Sequence, residues 1–148
     1  MLNVSKDMKI IRVANAAAAG QTAINSTIVD CNGFDAACAI ALLNAVTGGC
    51  QLSLQLQDNT ANQTGGMADT GTPATYNDSA GESSNTLLIS DVLNICSASQ
   101  KRYLRAVLSR GSQNAAVDGI VIVLYRSKVR PVTPDASVIA AALSNASS

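Results

Sequence analysis

Lys101–Val132 reads KRYLRAVLSRGSQNAAVDGIVIVLYRSKVRPV. Two runs rich in Val, Ile, Leu and Tyr flank the polar break Gly111-Ser112-Gln113-Asn114, a pattern that predicts a β-hairpin. In the first run Leu104, Ala106 and Leu108 fall on one side of a strand. Tyr103, Arg105, Val107 and Ser109 fall on the other, because side chains alternate along an extended backbone. In the second run Ile120–Leu124 is continuously apolar, as in a central strand covered on both faces.

The chain upstream carries the same signature. Gln51–Asp58 alternates most cleanly: Leu52, Leu54 and Leu56 point one way, and Gln51, Ser53, Gln55 and Gln57 the other. Phe34–Val46 is apolar almost throughout and is bounded by Gly33 and Gly48-Gly49, which favours a buried strand over a helix. Thr22–Cys31 is rich in β-branched residues and runs into the turn signal Asn32-Gly33. Met8–Val13 reads as a first strand or arm, and Ala16–Gly20 as a flexible connector. Asn59–Ser84 shows no period and reads as a long solvated loop. Asp69, Asp78 and Glu82 within it lack the spacing of a calcium loop. Leu87–Ser90 reads as a short strand and Asp91–Ser97 as a single helical turn. Pro131 ends the last strand. Thr133-Pro134-Asp135 is a helix-start signal ahead of Ala136–Leu143, a segment that orders against a neighbouring subunit or else frays.

These readings predict an all-β chain, an antiparallel β-sandwich of roughly seven or eight strands with jelly-roll-like topology. It would have extended terminal arms and a short C-terminal helix. Residues 1–15 form the N-terminal arm or first strand, 16–132 the body with the long loop 59–84, and 133–148 the C-terminal arm. At 148 residues one core is expected.

Composition narrows the function. There is no His, which removes the commonest general base and metal ligand. With one Phe, three Tyr and no Trp, the core must come from Leu, Ile, Val and Ala, and aromatic platforms for sugars or bases are disfavoured. No phosphate loop, nucleophile elbow or zinc-protease motif occurs, so no catalytic residue, cofactor or metal is expected. Cys31, Cys38, Cys50 and Cys96 lack Cys-x-x-Cys spacing and read as buried thiols, with one disulfide as the alternative. The chain opens on charged residues, and its longest apolar run is too short to span a bilayer, so a soluble protein made in a cytoplasm is expected, without a membrane partner.

Charge is balanced overall, ten acidic against ten basic side chains, but is unevenly distributed. Residues 13–98 hold seven acidic side chains and no Lys or Arg, whereas 99–130 hold seven basic ones against Asp118 alone. Either the two halves neutralise each other within the fold, or a basic face docks on an acidic partner. Nucleic acid is disfavoured, because the basic residues are not interleaved with aromatics and the chain is neutral.

The opening stretch also carries a resemblance. Lys-Arg-Tyr-Leu-Arg, a short polar loop, Val117-Asp118-Gly119 before an apolar strand and the closing Arg126-Ser127-Lys128-Val129-Arg130-Pro131-Val132 resemble the C-terminal half of tailed-bacteriophage capsid decoration (cement, head-stabilising) proteins. Val29-Asp30-Cys31-Asn32-Gly33-Phe34-Asp35 and Leu52-Ser53-Leu54-Gln55-Leu56-Gln57-Asp58 are similar to the same family, and the matching pieces cover roughly two thirds of the chain. The resemblance implies a structural virion protein on the outer surface of the head, made in the host bacterial cytoplasm. Its partners would be the major capsid protein and itself, as a homotrimer held by multivalent contacts. The terminal arms are then the expected contacts, with Lys9, Arg12, Arg126, Lys128, Arg130, Val138, Ile139 and Leu143 as candidates. A fimbrial or other extracellular adhesion subunit is the alternative, and a small enzyme a third reading that needs a cleft with converging carboxylates or thiols.

Overall fold

The computed structural model describes residues 2–96 and 101–146. One helical turn, α1 (Val4–Asp7), precedes ten strands. These are β1 (Lys9–Ala14), β2 (Ala17–Gly20), β3 (Ile24–Asn25), β4 (Val29–Asp30), β5 (Phe34–Val46), β6 (Gln51–Asn59), β7 (Ala68–Asn77), β8 (Leu87–Leu93), β9 (Tyr103–Gly111) and β10 (Ala115–Ser127). They form two antiparallel sheets. The first runs β1-β10-β5-β8, with β2 on the far end of β10; the second runs β3-β9-β6-β7, with β4 beside β9. β3 and β4 are one strand interrupted at buried Ser26, whose backbone N–H donates to Ala106 O and whose Oγ accepts from Ala106 N at 2.8 Å. Counted so, with β2 as an addition, eight strands cross between two sheets at every step except β6 to β7, which is jelly-roll order.

The alternating sequences set the core. Leu52, Leu54 and Leu56 of β6 and Leu104, Ala106 and Leu108 of β9 turn inward from one sheet. Ile11, Val13, Ala37, Ala39, Ala41, Leu43, Ile120, Ile122 and Leu124 meet them from the other. Phe34 is the single aromatic residue among them.

Several expectations are corrected. The predicted hairpin does not form: β9 pairs with β6, with Leu54 opposite Leu108, and β10 pairs with β1, β2 and β5. A four-residue link reaches about 13 Å when extended, enough to cross the ~10 Å between packed sheets, so it permits an arch as readily as a reversal. The turn at Gly48-Gly49 likewise carries the chain from β5 across to β6. Gly48 is required there, since a Cβ would lie 2.8 Å from the Ser79 carbonyl oxygen.

Ala17–Gly20, read as a connector, is β2 and lies along β10. The predicted loop 59–84 contains the ten-residue strand β7, paired to β6 from Gln51↔Asn77 to Asp58↔Ala68. Its side chains are mostly exposed and polar, so no apolar period betrays it, and Pro73 is tolerated because β7 is a sheet edge. The predicted turn at Asp91–Ser97 is strand as far as Leu93; Ser97 lies outside the described residues. The predicted helix Ala136–Leu143 is a single turn at 136–137 followed by irregular chain through 146. Asp135 Oδ1 accepts from Ser137 N at 2.9 Å and Ser137 Oγ at 2.8 Å, a local turn that satisfies the polar groups without a helix too short to hold itself.

Candidate functional site: an uncovered apolar sheet face

Residues opposite one another in a ladder share a face, so the registers of the first sheet define its outer surface. Four rungs cross it. One holds Ile10, Val123, Cys38 and Asp91, and the next holds Arg12, Val121, Ile40 and Ile89. Gly119, Leu42 and Leu87 form a third, and Tyr125, Ala36 and Leu93 a fourth. Most of these side chains are aliphatic. Leu42, Leu87, Ile89 and Leu93 are 39%, 50%, 51% and 54% exposed. Leaving each half in water forgoes about 1 kcal/mol.

The unbroken apolar runs in β5 and β10 call for cover on both faces. The described residues supply cover on one. Val121, Val123 and Ile40 remain half-buried on the outside while Ile120, Ile122 and Leu124 are fully enclosed. Contiguous apolar surface of this kind on a folded chain marks a place of contact.

The polar groups on the face lie toward its edges. Arg12 on β1 is exposed, its guanidinium lying along the sheet over Gly119. Asp91 on β8 accepts from the Tyr125 hydroxyl at 2.7 Å. Burial, and then that bond, push the Tyr125 phenol up to about 12.

Beside the β1 edge the two ends of the chain meet. Val132 N donates to Lys6 O at 2.7 Å, Arg12 N donates to Ser137 Oγ at 3.0 Å, and Arg130 Nε lies 3.7 Å from buried Asp7. Between them opens a groove of about 440 Å³, lined by Leu2, Val4, Met8, Ile10, Val138 and Leu143. Ile10 belongs to both surfaces, so the groove continues the apolar face.

The candidate residues from the sequence therefore part company. Val138 and Leu143 line the groove, and Ile139 beside them stands wholly in solvent. Arg12 lies on the sheet face. Lys9 shares a cleft with Asp30 and Asp135 at the other side of β1. Lys128 pairs with Asp35 at 3.6 Å and Arg130 with Asp7, while Arg126 is exposed at the end of β10 with φ +54°. The basic segment is largely spent inside the fold. Lys101 meets Asp58 at 3.2 Å, Arg102 chelates Asp30, and buried Arg110 donates to the carbonyls of Ala18, Thr22 and Ala115. Hydrogen bonds from Arg102 hold the Asp30 carboxyl below its usual range. Of the two readings of the charge distribution, internal neutralisation is the one these pairs support.

The residues that sequence reasoning missed are Ile40, Leu42, Leu87, Ile89 and Leu93. For Ile40 and Leu42 the signal is the lack of alternation in β5; Leu87, Ile89 and Leu93 lie on β8, where Leu87–Ser90 reads only as a short strand.

Two acidic groups, Asp78 and Glu82, serve the loop between β7 and β8. Glu82 accepts from Ala80 N at 2.6 Å and Ser79 N at 3.0 Å, and these bonds pull its carboxyl down to about 2. Asp78 accepts from Gly81 N at 2.6 Å and Ser83 N at 2.9 Å. Among the described residues no group of three or more Cys, Asp or Glu is placed to hold a metal ion, and no helix is long and apolar enough to cross a membrane. All four cysteines are unbridged; Cys31 and Cys50 are buried, and burial raises the Cys31 thiol far above its usual range.

No family model matches the sequence, and no curated protein matches it. Among solved structures, the chain overlays on Eiger TNF from S. frugiperda with a TM-score of 0.43 and 6% identity, over 84% of this chain and 96% of that one. It also overlays on a chain in the structure of infectious bursal disease virus, Gx strain, with a TM-score of 0.51 and 10% identity. That match covers 86% of this chain and 34% of the viral one, so the chain spans about a third of the length of the viral chain it matches. The likeness is one of fold: this antiparallel β-sandwich has the architecture of part of a chain found in a virus particle.

Proposed function

We propose that this chain is a structural virion protein, a decoration or cement protein that binds the outer surface of a tailed-bacteriophage capsid shell and reinforces it. The observation that carries the reading is the uncovered outer face of the β1-β10-β5-β8 sheet. A block with a dry outer surface gains free energy by pressing that surface against other protein, and a repetitive shell offers many identical places to do so. The resemblance of Lys101–Val132 to head-decoration proteins supplies the partner, the major capsid protein. The fold shared with a chain in a virus particle agrees with it. As a homotrimer the chain would present three copies of each shell contact, and modest contacts multiply when they are linked. The exposed tail beyond Pro134, with Ile139 and Leu143, is the segment suited to reach a neighbouring subunit.

The test is co-sedimentation of the purified chain with emptied heads of the phage from which it comes, followed by cryo-electron microscopy of the pellet. Density on the outside of the shell, and heads that withstand more heat, are the expected results. A chain that stays in the supernatant, or lies inside the shell, overturns the reading. Removing residues 133–148 should weaken pelleting while leaving the circular dichroism of the β-sandwich unchanged.

A further inference from the structure

We propose that Cys31 and Cys96 are a dithiol pair, a modification site that a low-molecular-weight disulfide converts to an intramolecular bridge stapling one sheet to the other. The chain is made with four thiols, and the pair closes only on meeting such an oxidant.

One end of the sandwich brings the two residues together. Cys31 follows β4 in the second sheet, and its backbone N–H and its thiol both donate to Arg102 O at 2.8 Å. Cys96 follows β8 in the first sheet. Leu93 of β8 lies opposite Ala36 at the start of β5, and Ile95 N donates to Asp35 O at 3.0 Å. The chain therefore reaches Cys96 beside the turn that Cys31 opens. Cys31 is enclosed in the core, and Cys96 packs against that core from its rim. Each thiol also shifts the proton affinity of the other through a hydrogen bond between them.

Neither remaining thiol competes. Cys50 lies past the far end of β5, whose thirteen residues span about 40 Å. Cys38 turns to the outer face of the first sheet, beside Asp91.

Access sets the order of events. Cys96 is half-buried on the wall of a cleft of about 420 Å³ that it shares with Asn32, Thr60, Arg102 and Tyr103, whereas Cys31 is closed to solvent. The Cys96 thiolate attacks one sulfur of the small disulfide and expels a thiolate, leaving a mixed disulfide. Cys31 then gives up its proton to solvent and attacks Cys96 Sγ, expelling the second thiolate. Two protein thiols lose two electrons, and one small disulfide becomes two thiols. Burial holds the Cys96 thiol above its ordinary range against the pull of Cys31, Lys128 and Arg102, so the first step quickens as pH rises.

Oxidised glutathione added to the purified full-length chain, followed by alkylation and peptide mapping, tests this. Wild type should lose two hydrogens and yield a single Cys31–Cys96 bridge, with Cys38 and Cys50 still alkylated. Each pH unit below the thiol range should speed the reaction roughly tenfold. Cys31→Ser should stop at a mixed disulfide on Cys96, and Cys96→Ser should leave Cys31 unmodified. Thermal melts report folding, and Cys31→Ala replaces Cys31→Ser should the latter not fold. The bridged chain should unfold at higher urea than the open one, and dithiothreitol should reverse the gain. A wild type that stops at the mixed disulfide, bridges Cys38 or Cys50, links two chains or keeps four thiols overturns the inference. Binding to heads is not read in any of these arms, so the decoration reading stands or falls separately.

Discussion

The two sheets share one core and differ in what they turn outward. From the second sheet, β6 and β9 present Gln55, Gln57, Arg105 and Ser109, and the first three bond to one another or to backbone carbonyls and side chains of the sheet. Arg105 Nε donates to Gln57 Oε1 at 2.9 Å, and the Gln55 amide donates to Leu56 O and Thr70 O at 2.8 and 2.9 Å. From the first sheet, β5, β8 and β10 present Ile40, Leu42, Ile89 and Val121, a surface that no other layer of the described residues covers. An antiparallel sandwich folds well with one face of each sheet in water. The second sheet follows that rule. The first departs from it, and the departure costs solubility without adding to the core, which is why we read it as a contact surface.

The contrast breaks or sharpens under substitution. The largest effect belongs to the shared core. Leu54→Ala, at a fully buried position, should cost about 2–5 kcal/mol in urea unfolding. Leu42→Ala on the dry outer face should cost only about 1 kcal/mol in dilute solution and more when the chain is concentrated enough to associate. Equal costs for Leu42→Ala at both concentrations would show that the dry face stays uncovered.

A second effect concerns the thiols. Cys38 lies on the outer face and is half-buried, while Cys31 and Cys50 are enclosed in the core. Alkylation followed by mass spectrometry should modify Cys38 well before the core pair in dilute chain, and association should slow it roughly tenfold, in line with burial of a surface thiol. No cysteine should be recovered as a disulfide; a bridged pair would instead favour the exported adhesion subunit.

Acid should act elsewhere, at the loop joining β7 to β8. The folded-state carboxyl of Glu82 lies at about 2, below its unfolded value, so its contribution is present above the unfolded value and is lost as pH falls from about 4.5 toward 2. Glu82→Gln should flatten that part of the melting-temperature profile and leave association at neutral pH unchanged. The smallest effect is spectroscopic. Tyr125 should ionise near pH 12 by absorbance at 295 nm, and Asp91→Asn should bring it down by removing the charged acceptor at the β8 edge.

Much of the strand layout was legible because alternation reports burial directly. Leu52, Leu54 and Leu56, and likewise Leu104, Ala106 and Leu108, lie where their period puts them. β7 was not legible, since an edge strand with exposed polar residues on both sides has no period to read. Neither was the tail, where a sound helix-start signal at Thr133-Pro134-Asp135 yields a single turn in which Asp135 accepts from Ser137. The uncovered face was half legible: the unbroken apolar runs announced two buried faces, without saying that among the described residues only one of them is covered.

Residue pattern alone established an all-β chain with a single aliphatic core and the inward or outward sense of its principal strands. Hydrophobic alternation is a property of each strand by itself. Partner choice was decided only in three dimensions, where Gly111-Ser112-Gln113-Asn114 carries the chain across to the opposite sheet and β9 joins β6 instead of β10. A short polar link is compatible with either geometry, and the free energy that separates them comes from closing the whole sandwich, to which no local stretch has access.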